Sequence, residues 1–172
     1  MTELDHNYIS DLVVYASEGD SNAFAELYAA TYYKQYLFAF YFLEDELLAR
    51  DALQETYILA FKELNTLNDT RLFYSWLSQI NFRVCCSLSA KHSEYKADSL
   101  SASQEIAIGA SKYTLREILM LPPSESQVIF LYYFKKLKLS DIAYVLDISR
   151  SSVKSFLLSG RGHLETSGSN AA

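Results

Sequence analysis

The chain has 172 residues, of which 50% are hydrophobic and 21% are charged, and its formal net charge is -6. This length suits one domain or two small ones, and the hydrophobic fraction excludes a disordered chain. Only five Gly and two Pro interrupt a chain with 14 Tyr and 10 Phe, which predicts long helices with an aromatic core. No uncharged apolar run is long enough to span a membrane, and the acidic start lacks a signal-peptide core. We therefore expect a cytoplasmic protein with no membrane insertion.

The charge is divided unevenly along the chain. Residues 1–91 hold 6 Lys/Arg against 13 Asp/Glu, residues 92–112 hold 2 against 3, and residues 113–172 hold 7 against 5. An acidic first half repels the phosphate backbone of a nucleic acid, whereas the last third tolerates it. The Ser- and Ala-rich stretch 93–112 predicts a flexible linker between two compact units.

Apolar residues recur at spacings of three and four, which predicts an all-α fold. Asp20 or Ser21 is expected to cap the second helix. The predicted helices are 10–18, 21–43, 44–64, 70–91, 113–120, 124–134, 139–146 and 150–163. A frayed, disordered tail is expected from residue 166.

The third predicted helix has two different faces. One side is apolar and expected to be buried: Leu53, Tyr57, Ala60, Phe61 and Leu64. The opposite side is largely polar: Asp51, Gln54, Glu55, Ile58 and Lys62. Most of this face is typical of an ordinary solvated helix, and Ile58 among the polar residues is the one sign that a partner covers it.

The last two predicted helices are short, are joined by about four residues and fit a helix-turn-helix. The expected core of this motif comprises Ile142, Ala143, Leu146, Ile148, Val153 and Leu157. The start of the second helix would leave Ser151, Ser152 and Ser155 outside, with Arg150 and Lys154 on the flanks. A plain helical hairpin is the alternative.

Nothing in the sequence indicates catalysis or a bound metal. Cys85 and Cys86 are adjacent, which is not a metal-ligand spacing, so we expect reduced thiols packed along a helix. His6, His92 and His163 are far apart, and the chain has no phosphate-binding Gly-rich loop. The sequence predicts a protein that is not an enzyme and needs no cofactor.

Six segments, in this order, resemble the extracytoplasmic-function sigma factors of the sigma-70 family. They are DLVVYASEGDSNAFAELY (11–28), DALQETYILAFKEL (51–64), FYSWLSQI (73–80), LPPSESQVIFLYYF (121–134), IAYVLDIS (142–149) and SSVKSFL (151–157). The resemblance implies two small helical domains joined by a flexible linker. The implied divisions are a sigma region 2-like domain at 8–92, the linker at 93–112, a sigma region 4-like helix-turn-helix domain at 113–165 and the tail at 166–172.

The resemblance also implies a role for particular residues in promoter-specific transcription initiation. Contacts with a coiled-coil of the largest subunit of core RNA polymerase would come from Asp51, Gln54, Glu55 and Ile58. Contacts with the minus-ten element of promoter DNA would come from Trp76, Gln79, Arg83 and Lys91, although core packing is the favoured role of Trp76. Contacts in the major groove of the minus-thirty-five element would come from Arg150, Ser151, Ser152, Lys154, Ser155 and Phe156. An anti-sigma factor is the further implied partner.

The chain departs from the family pattern mainly in its DNA-facing residues. The basic run expected at the end of the fourth helix reads Ala90-Lys91-His92, and the glycine of the helix-turn-helix is replaced by Asp147. Phe156 stands where many relatives have an arginine. These losses keep an alternative open, in which the chain is a sigma-like decoy or co-sigma that binds an anti-sigma factor, a partner sigma or polymerase without reading promoters alone.

Overall fold

The computed structural model describes residues 3–93 and 113–170, which contain eight α-helices and no β-strand. The helices are α1 (Glu3–Ser17), α2 (Ser21–Leu43), α3 (Glu46–Glu63), α4 (Phe73–Ser93), α5 (Leu115–Leu119), α6 (Pro123–Ile129), α7 (Leu139–Leu146) and α8 (Arg150–Asn170). The predicted all-α fold class is confirmed. The chain divides into two compact units, Met1–His92 and Ser93–Ala172. Apart from Ser93, where α4 ends, the predicted linker lies outside the described residues.

Local capping sets the boundaries of the long helices in the first unit. The Asp20 carboxylate accepts hydrogen bonds from the backbone amides of Asn22 and Ala23, which confirms the predicted start of α2. Asp45 caps α3 in the same way through the amide of Leu48. Two 3₁₀ turns, Leu64–Thr66 and Thr70–Leu72, then connect α3 to α4.

The first helix begins seven residues before its predicted start, at Glu3 instead of residue 10. Ile9 is buried in the core, and the Tyr8 hydroxyl donates a hydrogen bond to the Glu26 carboxylate of α2. These contacts with the second helix favour helical structure in a segment whose own sequence carries no clear start signal.

A buried polar network joins α2 to α4 inside the first unit. Gln35 Nε2 donates to Ser78 Oγ at 3.0 Å, and Asn81 Nδ2 donates to Gln35 Oε1 at 2.9 Å. The Asn81 oxygen in turn accepts from Thr56 of α3 at 3.5 Å and from the Cys85 thiol at 3.4 Å. Each of these buried polar groups has a hydrogen-bond partner, so none of them is left unsatisfied. Because the partners lie on different helices, the network fixes the register of the three helices.

The two cysteines are free thiols on α4, as the sequence predicts. Cys85 is buried and Cys86 is half-buried. Burial raises the pKa of both thiols, that of Cys86 to about 12, so both are protonated and unreactive at neutral pH.

The second unit packs α8 against α6 and α7. The side chains from Val128 to Leu131 are completely buried, as are Ile142 of α7 and Val153 of α8. Beyond Ile129, the chain continues as a π-helical turn, Phe130–Phe134, which closes with the Lys135 amide donating to the Phe130 carbonyl. This turn reorients the chain before α7 begins.

Several helix ends in the second unit differ from the sequence prediction, and two of them have a visible local cause. Helix α6 begins at Pro123 rather than at Ser124, because the fixed φ of proline suits the first helical position and its missing N–H is not needed there. Helix α8 continues to Asn170, where a disordered tail was predicted from residue 166. Hydrogen bonds from the Thr166 and Ser167 hydroxyls to carbonyls one turn earlier accompany this extension.

Among the described residues, no helix combines the length and the hydrophobicity needed to cross a membrane.

Candidate functional site

One face of α3 forms an exposed stripe on the first unit. Asp51, Gln54 and Glu55 are exposed, and Ile58, one turn beyond Gln54, is 48% exposed. The opposite face of the same helix is buried, through Ala49, Ala52, Leu53, Thr56, Tyr57 and Ala60. The four residues that the sequence assigned to polymerase binding therefore lie together on one accessible surface, which we call the α3 stripe.

Leu47 extends the α3 stripe by one turn, and sequence reasoning missed it. It is 73% exposed and precedes Asp51 by four residues, which places both on the same side of the helix. An exposed leucine in line with Ile58 gives the stripe an apolar residue at each end. Its position in the first turn of the helix, next to acidic residues, obscured this signal in the sequence.

A groove of about 460 Å³ runs between α2 and α3 beside the stripe. It is lined by Phe24, Tyr28, Tyr32, Arg50, Leu53, Gln54, Tyr57, Ile58, Phe61 and Lys62. The Phe61 ring was predicted to be buried, but it is 60% exposed and meets the Phe24 ring edge-to-face at 5.1 Å. Phe61 lies at the edge of the buried face of α3, so α2 covers only one side of its ring.

The groove continues into a row of aromatic rings along α2. Tyr28, Tyr32, Tyr36 and Phe40 follow one another at intervals of four residues, with ring centroids 5.2 to 6.0 Å apart. This spacing is close to the helical repeat, so the rings lie on one face. Tyr36 stacks on both Tyr32 and Phe40, whereas the Tyr28 ring is tilted against Tyr32. We call this surface the α2 aromatic row.

The residues expected to contact the minus-ten element do not lie on one surface. Trp76 is 7% exposed and its ring centroid lies 6.2 Å from that of Phe73, in agreement with the core packing favoured for this residue. Gln79 is 5% exposed, so its side chain is buried within the first unit rather than on the surface expected for a contact with DNA. Arg83 and Lys91 are exposed. Trp76 and Gln79 both lie on the core-facing side of α4. The sequence pattern alone did not distinguish this side from the exposed one.

The turn between α7 and α8 has the geometry of a helix-turn-helix. Helix α7 ends at Asp147, which adopts the left-handed conformation with φ 52° and ψ 48°. Its amide donates back to the carbonyls of Ala143 and Tyr144, which closes the helix end. Ser149 then caps α8 by accepting from the Ser152 amide at 3.1 Å. Asp147 thus adopts the left-handed backbone conformation that glycine usually adopts at this position.

The first two turns of α8 present the predicted recognition residues. Arg150, Ser151, Lys154 and Ser155 are exposed, whereas Ser152 and Phe156 are half-buried. The Ser149 hydroxyl contacts both the Ser152 hydroxyl, at 2.8 Å, and that of Ser151, at 3.4 Å. Arg150, Lys154 and Ser155 are therefore the exposed polar residues of this set that the Ser149 hydroxyl does not contact.

The second half of α8 is anchored to α6. The buried Glu125 carboxylate accepts from the Ser159 hydroxyl at 2.6 Å and lies 2.7 Å from His163 Nδ1. Burial acts to raise the pKa of Glu125, but the hydrogen bonds from Ser159 and His163 outweigh it and hold the pKa below its ordinary value. One rigid helix thus carries both an exposed end and an anchored end.

Arg161 belongs to the anchored half of α8. Its Nε donates to the Tyr133 hydroxyl at 2.6 Å, and its guanidinium lies 5.3 Å from the centre of the Tyr132 ring. The side chain is therefore held within the second unit by the π-helical turn.

Within residues 3–93 and 113–170, His, Cys, Asp and Glu form no group of three that could hold a metal ion.

Comparisons with known proteins agree with this arrangement. Residues 111–164 match the family Sigma-70, region 4. The chain is 25% identical over 150 residues to the ECF RNA polymerase sigma factor SigM of Bacillus subtilis (strain 168), covering 81% of this chain and 91% of SigM. It is 26% identical over 164 residues to the ECF RNA polymerase sigma factor SigW of the same organism, covering 84% of this chain and 88% of SigW.

The fold is also similar to that of a solved structure, CnrH in complex with the cytosolic domain of CnrY. The TM-score is 0.61 at 20% sequence identity, over 96% of this chain and 99% of that one. The matched region 4 and the two curated relatives make the chain similar to the extracytoplasmic-function sigma factors of the sigma-70 family, and the solved structure shows the same fold.

Proposed function

We propose that the chain binds core RNA polymerase through the α3 stripe and directs promoter-specific initiation through the start of α8. The observation that carries this proposal is the division of α8 into two halves. Its anchored half is fixed by Glu125, while its first two turns expose Arg150 and Lys154. A recognition helix enters the major groove with its first residues, so this is the end that must be accessible.

The α3 stripe supplies a surface suited to a polar helical partner. Asp51 and Glu55 are carboxylates, Gln54 donates and accepts hydrogen bonds, and Leu47 and Ile58 offer apolar contact at the two ends. A basic, partly apolar helix of the polymerase, such as one strand of the coiled-coil in its largest subunit, matches this chemistry.

Dependence on polymerase accounts for the charge of the chain. The first 91 residues carry a balance of -7, which opposes binding to DNA by this unit alone. In a complex with polymerase, the larger enzyme provides most phosphate contacts, and the chain needs only a few residues for recognition. In the proposed minus-ten contact, Arg83 and Lys91 act from the exposed side of α4, and Trp76 supports the helix from within.

Run-off transcription on sheared genomic DNA tests this function. Core polymerase from the organism that encodes the chain is mixed with the purified protein, and the transcript starts are mapped. We expect discrete starts that share two spaced upstream elements. Transcripts that do not differ from those of core polymerase alone would contradict the proposal.

A second candidate function is a sigma-like decoy or co-sigma. Burial of Trp76 and Gln79 favours it, because half of the residues expected at the minus-ten element are withdrawn from the surface. The internal engagement of Arg161 removes a further cation from DNA binding. A decoy would purify with polymerase or with another regulator and yet give no new transcript starts, so the same experiment separates the two functions.

We also propose an anti-sigma factor as a partner of this chain. In the α2 aromatic row, Tyr28 and Phe40 are exposed, and Tyr32 and Tyr36 between them are half-buried. The row thus offers an apolar surface larger than an isolated side chain would, and such surfaces mark protein interfaces. The similar protein CnrH was solved in complex with the cytosolic domain of CnrY, which supports a protein partner for this chain as well.

A further inference from the structure

A short basic segment precedes the helix-turn-helix, and none of the roles described above uses it. The sequence Lys-Lys-Leu-Lys at 135–138 connects the π-helical turn to α7. Lys136 and Lys138 are exposed, whereas Lys135 is half-buried, with its Nζ 5.2 Å from the centre of the Phe134 ring. The Leu137 amide donates to the Leu131 carbonyl, so the segment is tied to the core between the two exposed lysines.

Lys136 occupies a backbone conformation that does not suit lysine. Its φ is 56°, in the left-handed region, where the Cβ atom of an L-residue crowds the backbone. Glycine adopts this conformation without that crowding, and asparagine tolerates it better than lysine does. A lysine here lowers the stability of the second unit relative to glycine, so its presence needs a reason other than folding.

Lys138 occupies a second position with an unsuited residue. It is the N-cap of α7, with φ -70° and ψ 155°, and its side chain makes no capping hydrogen bond. Ser, Thr, Asp or Asn at an N-cap accepts a hydrogen bond from an amide of the first turn, and lysine has no acceptor to offer. Two neighbouring positions therefore carry lysine where local structure favours glycine and serine.

Residues that contradict local structural preferences concentrate at functional sites. The exposed lysines here precede the first helix of a helix-turn-helix, which crosses the DNA backbone when the second helix lies in the major groove. Residues 135–154 carry five Lys/Arg against two Asp, in a chain whose net charge is -6. The charge is thus concentrated where the motif approaches DNA.

We infer that Lys136 and Lys138 bind phosphates of the DNA backbone beside the element read by α8. These contacts are independent of base sequence and hold the second unit on the duplex while Arg150 and Lys154 approach the bases. The inference rests on the proposed function, since it requires that the helix-turn-helix bind DNA. It explains how a chain with few basic residues elsewhere retains phosphate contacts.

The test compares two double variants in the complete chain bound to core polymerase. Lys136→Gly with Lys138→Ser removes both charges and installs the locally preferred residues. Lys136→Arg with Lys138→Arg keeps both charges and is the matched control. Affinity for a promoter identified by run-off transcription is measured as a function of salt concentration, and hydrogen exchange of the α7 amides reports the stability of the free protein.

The Gly/Ser variant is expected to be more stable and to bind DNA less tightly. Protection of the α7 amides against exchange rises about tenfold, because the turn and the cap are improved. The slope of log affinity against log salt becomes less steep by about 1.8, because each phosphate contact contributes about 0.9. Between about 50 and 200 mM salt, the wild type therefore loses about twelvefold more affinity than the Gly/Ser variant. The Arg/Arg variant keeps the wild-type slope.

Other outcomes overturn the inference in distinguishable ways. If the wild type selects promoters and the Gly/Ser variant has the same salt slope, the two lysines do not bind phosphate, and only this inference fails. A loss of initiation at unchanged salt slope would assign them to a protein contact instead. Reduced protection of the α7 amides would give them a structural role. If the wild type selects no promoter, the proposed function fails and this inference fails with it.

Discussion

Glu125 of α6 and His163 of α8 are 38 residues apart in the chain, yet Glu125 Oε2 and His163 Nδ1 lie 2.7 Å apart. The same carboxylate accepts from the Ser159 hydroxyl, one turn earlier on α8. Between these two contacts, Gly160 allows the helices to approach closely, since a Cβ atom there would lie 3.0 Å from Cγ1 of Ile129. The position of α8 is therefore set by contacts that lie beyond its exposed first two turns.

Replacing Glu125 by glutamine should weaken this anchor. The variant keeps the shape of the side chain but loses the charged acceptor of two hydrogen bonds, so the free energy of unfolding of the second unit falls by about 1–3 kcal/mol. Native-state hydrogen exchange, read at the amides of α8, measures this locally. The control is Glu63→Gln, an exposed change at the end of α3, which should leave the α8 amides unaffected. Equal protection in the wild type and Glu125→Gln would contradict the prediction.

The stabilisation by Glu125 should depend on pH in a defined direction. Its pKa is lower in the folded protein than its ordinary value of 4.5, because the hydrogen bonds from Ser159 and His163 outweigh burial. A group with a lowered folded-state pKa stabilises the protein above its unfolded-state pKa, and this contribution is lost as pH falls through the folded-state value. The advantage of the wild type over Glu125→Gln should be full at neutral pH and shrink below about pH 4.5. A difference in unfolding free energy that stays constant in acid would be evidence against a carboxylate role.

Two glycines of α8 should respond oppositely to substitution. Gly160→Val places a branched side chain against the fully buried Ile129 and should cost about 1–3 kcal/mol through overpacking. Gly162→Ala meets nothing within 4 Å and should raise stability by about 0.5–1 kcal/mol, because alanine favours the helix more than glycine does. Chemical denaturation of the full chain, followed at α8 by hydrogen exchange, compares them. Destabilisation by both changes would show that the close approach is not what distinguishes Gly160.

Binding of core polymerase to the α3 stripe should weaken when Ile58, the apolar residue at one end, is made charged. Ile58→Asp introduces a carboxylate at an exposed position, so the fold is retained, and affinity for core polymerase should fall at least about tenfold. Val14→Asp is the matched control, since it makes the same kind of change at an exposed apolar position on α1. Affinity is measured by fluorescence anisotropy of the labelled chain titrated with core polymerase. A similar loss in both variants would indicate a nonspecific effect of the added charge.

Recognition and polymerase binding should separate in the α8 variants. Arg150→Ala or Lys154→Ala removes a cation from the exposed first turns and should lower promoter-specific initiation about tenfold, within the range expected for lost DNA contacts. Affinity for core polymerase should stay unchanged, because these residues lie in the second unit. Run-off transcription and the anisotropy titration measure the two properties in parallel. If both fall together, the proposed division of roles between the units is wrong.

Much of the local structure followed from residues close together in the chain. Asp20 caps α2 through amides two and three residues on, and α7 has the predicted bounds, Leu139–Leu146. The exposed and buried faces of α3 also followed from the sequence. Polar and apolar residues that each recur with the helical period fall on opposite sides of a helix. Capping and periodicity act within one or two turns, so the sequence alone determined these features, including the α3 stripe from Asp51 to Ile58.

Tertiary structure decided which side chains are exposed at positions where the sequence fits either burial or exposure. Phe61 and Gln79 have sequence neighbourhoods that fit either burial or exposure, and packing between helices exposed the ring and buried the amide. The contact of Glu125 with Ser159 and His163 depends on how α6 meets α8, which no local pattern encodes. The cost of burying a polar group is set by the partners it finds after folding, and those partners are distant in the chain. The anchor that holds α8 against α6 is therefore a property of the folded unit alone.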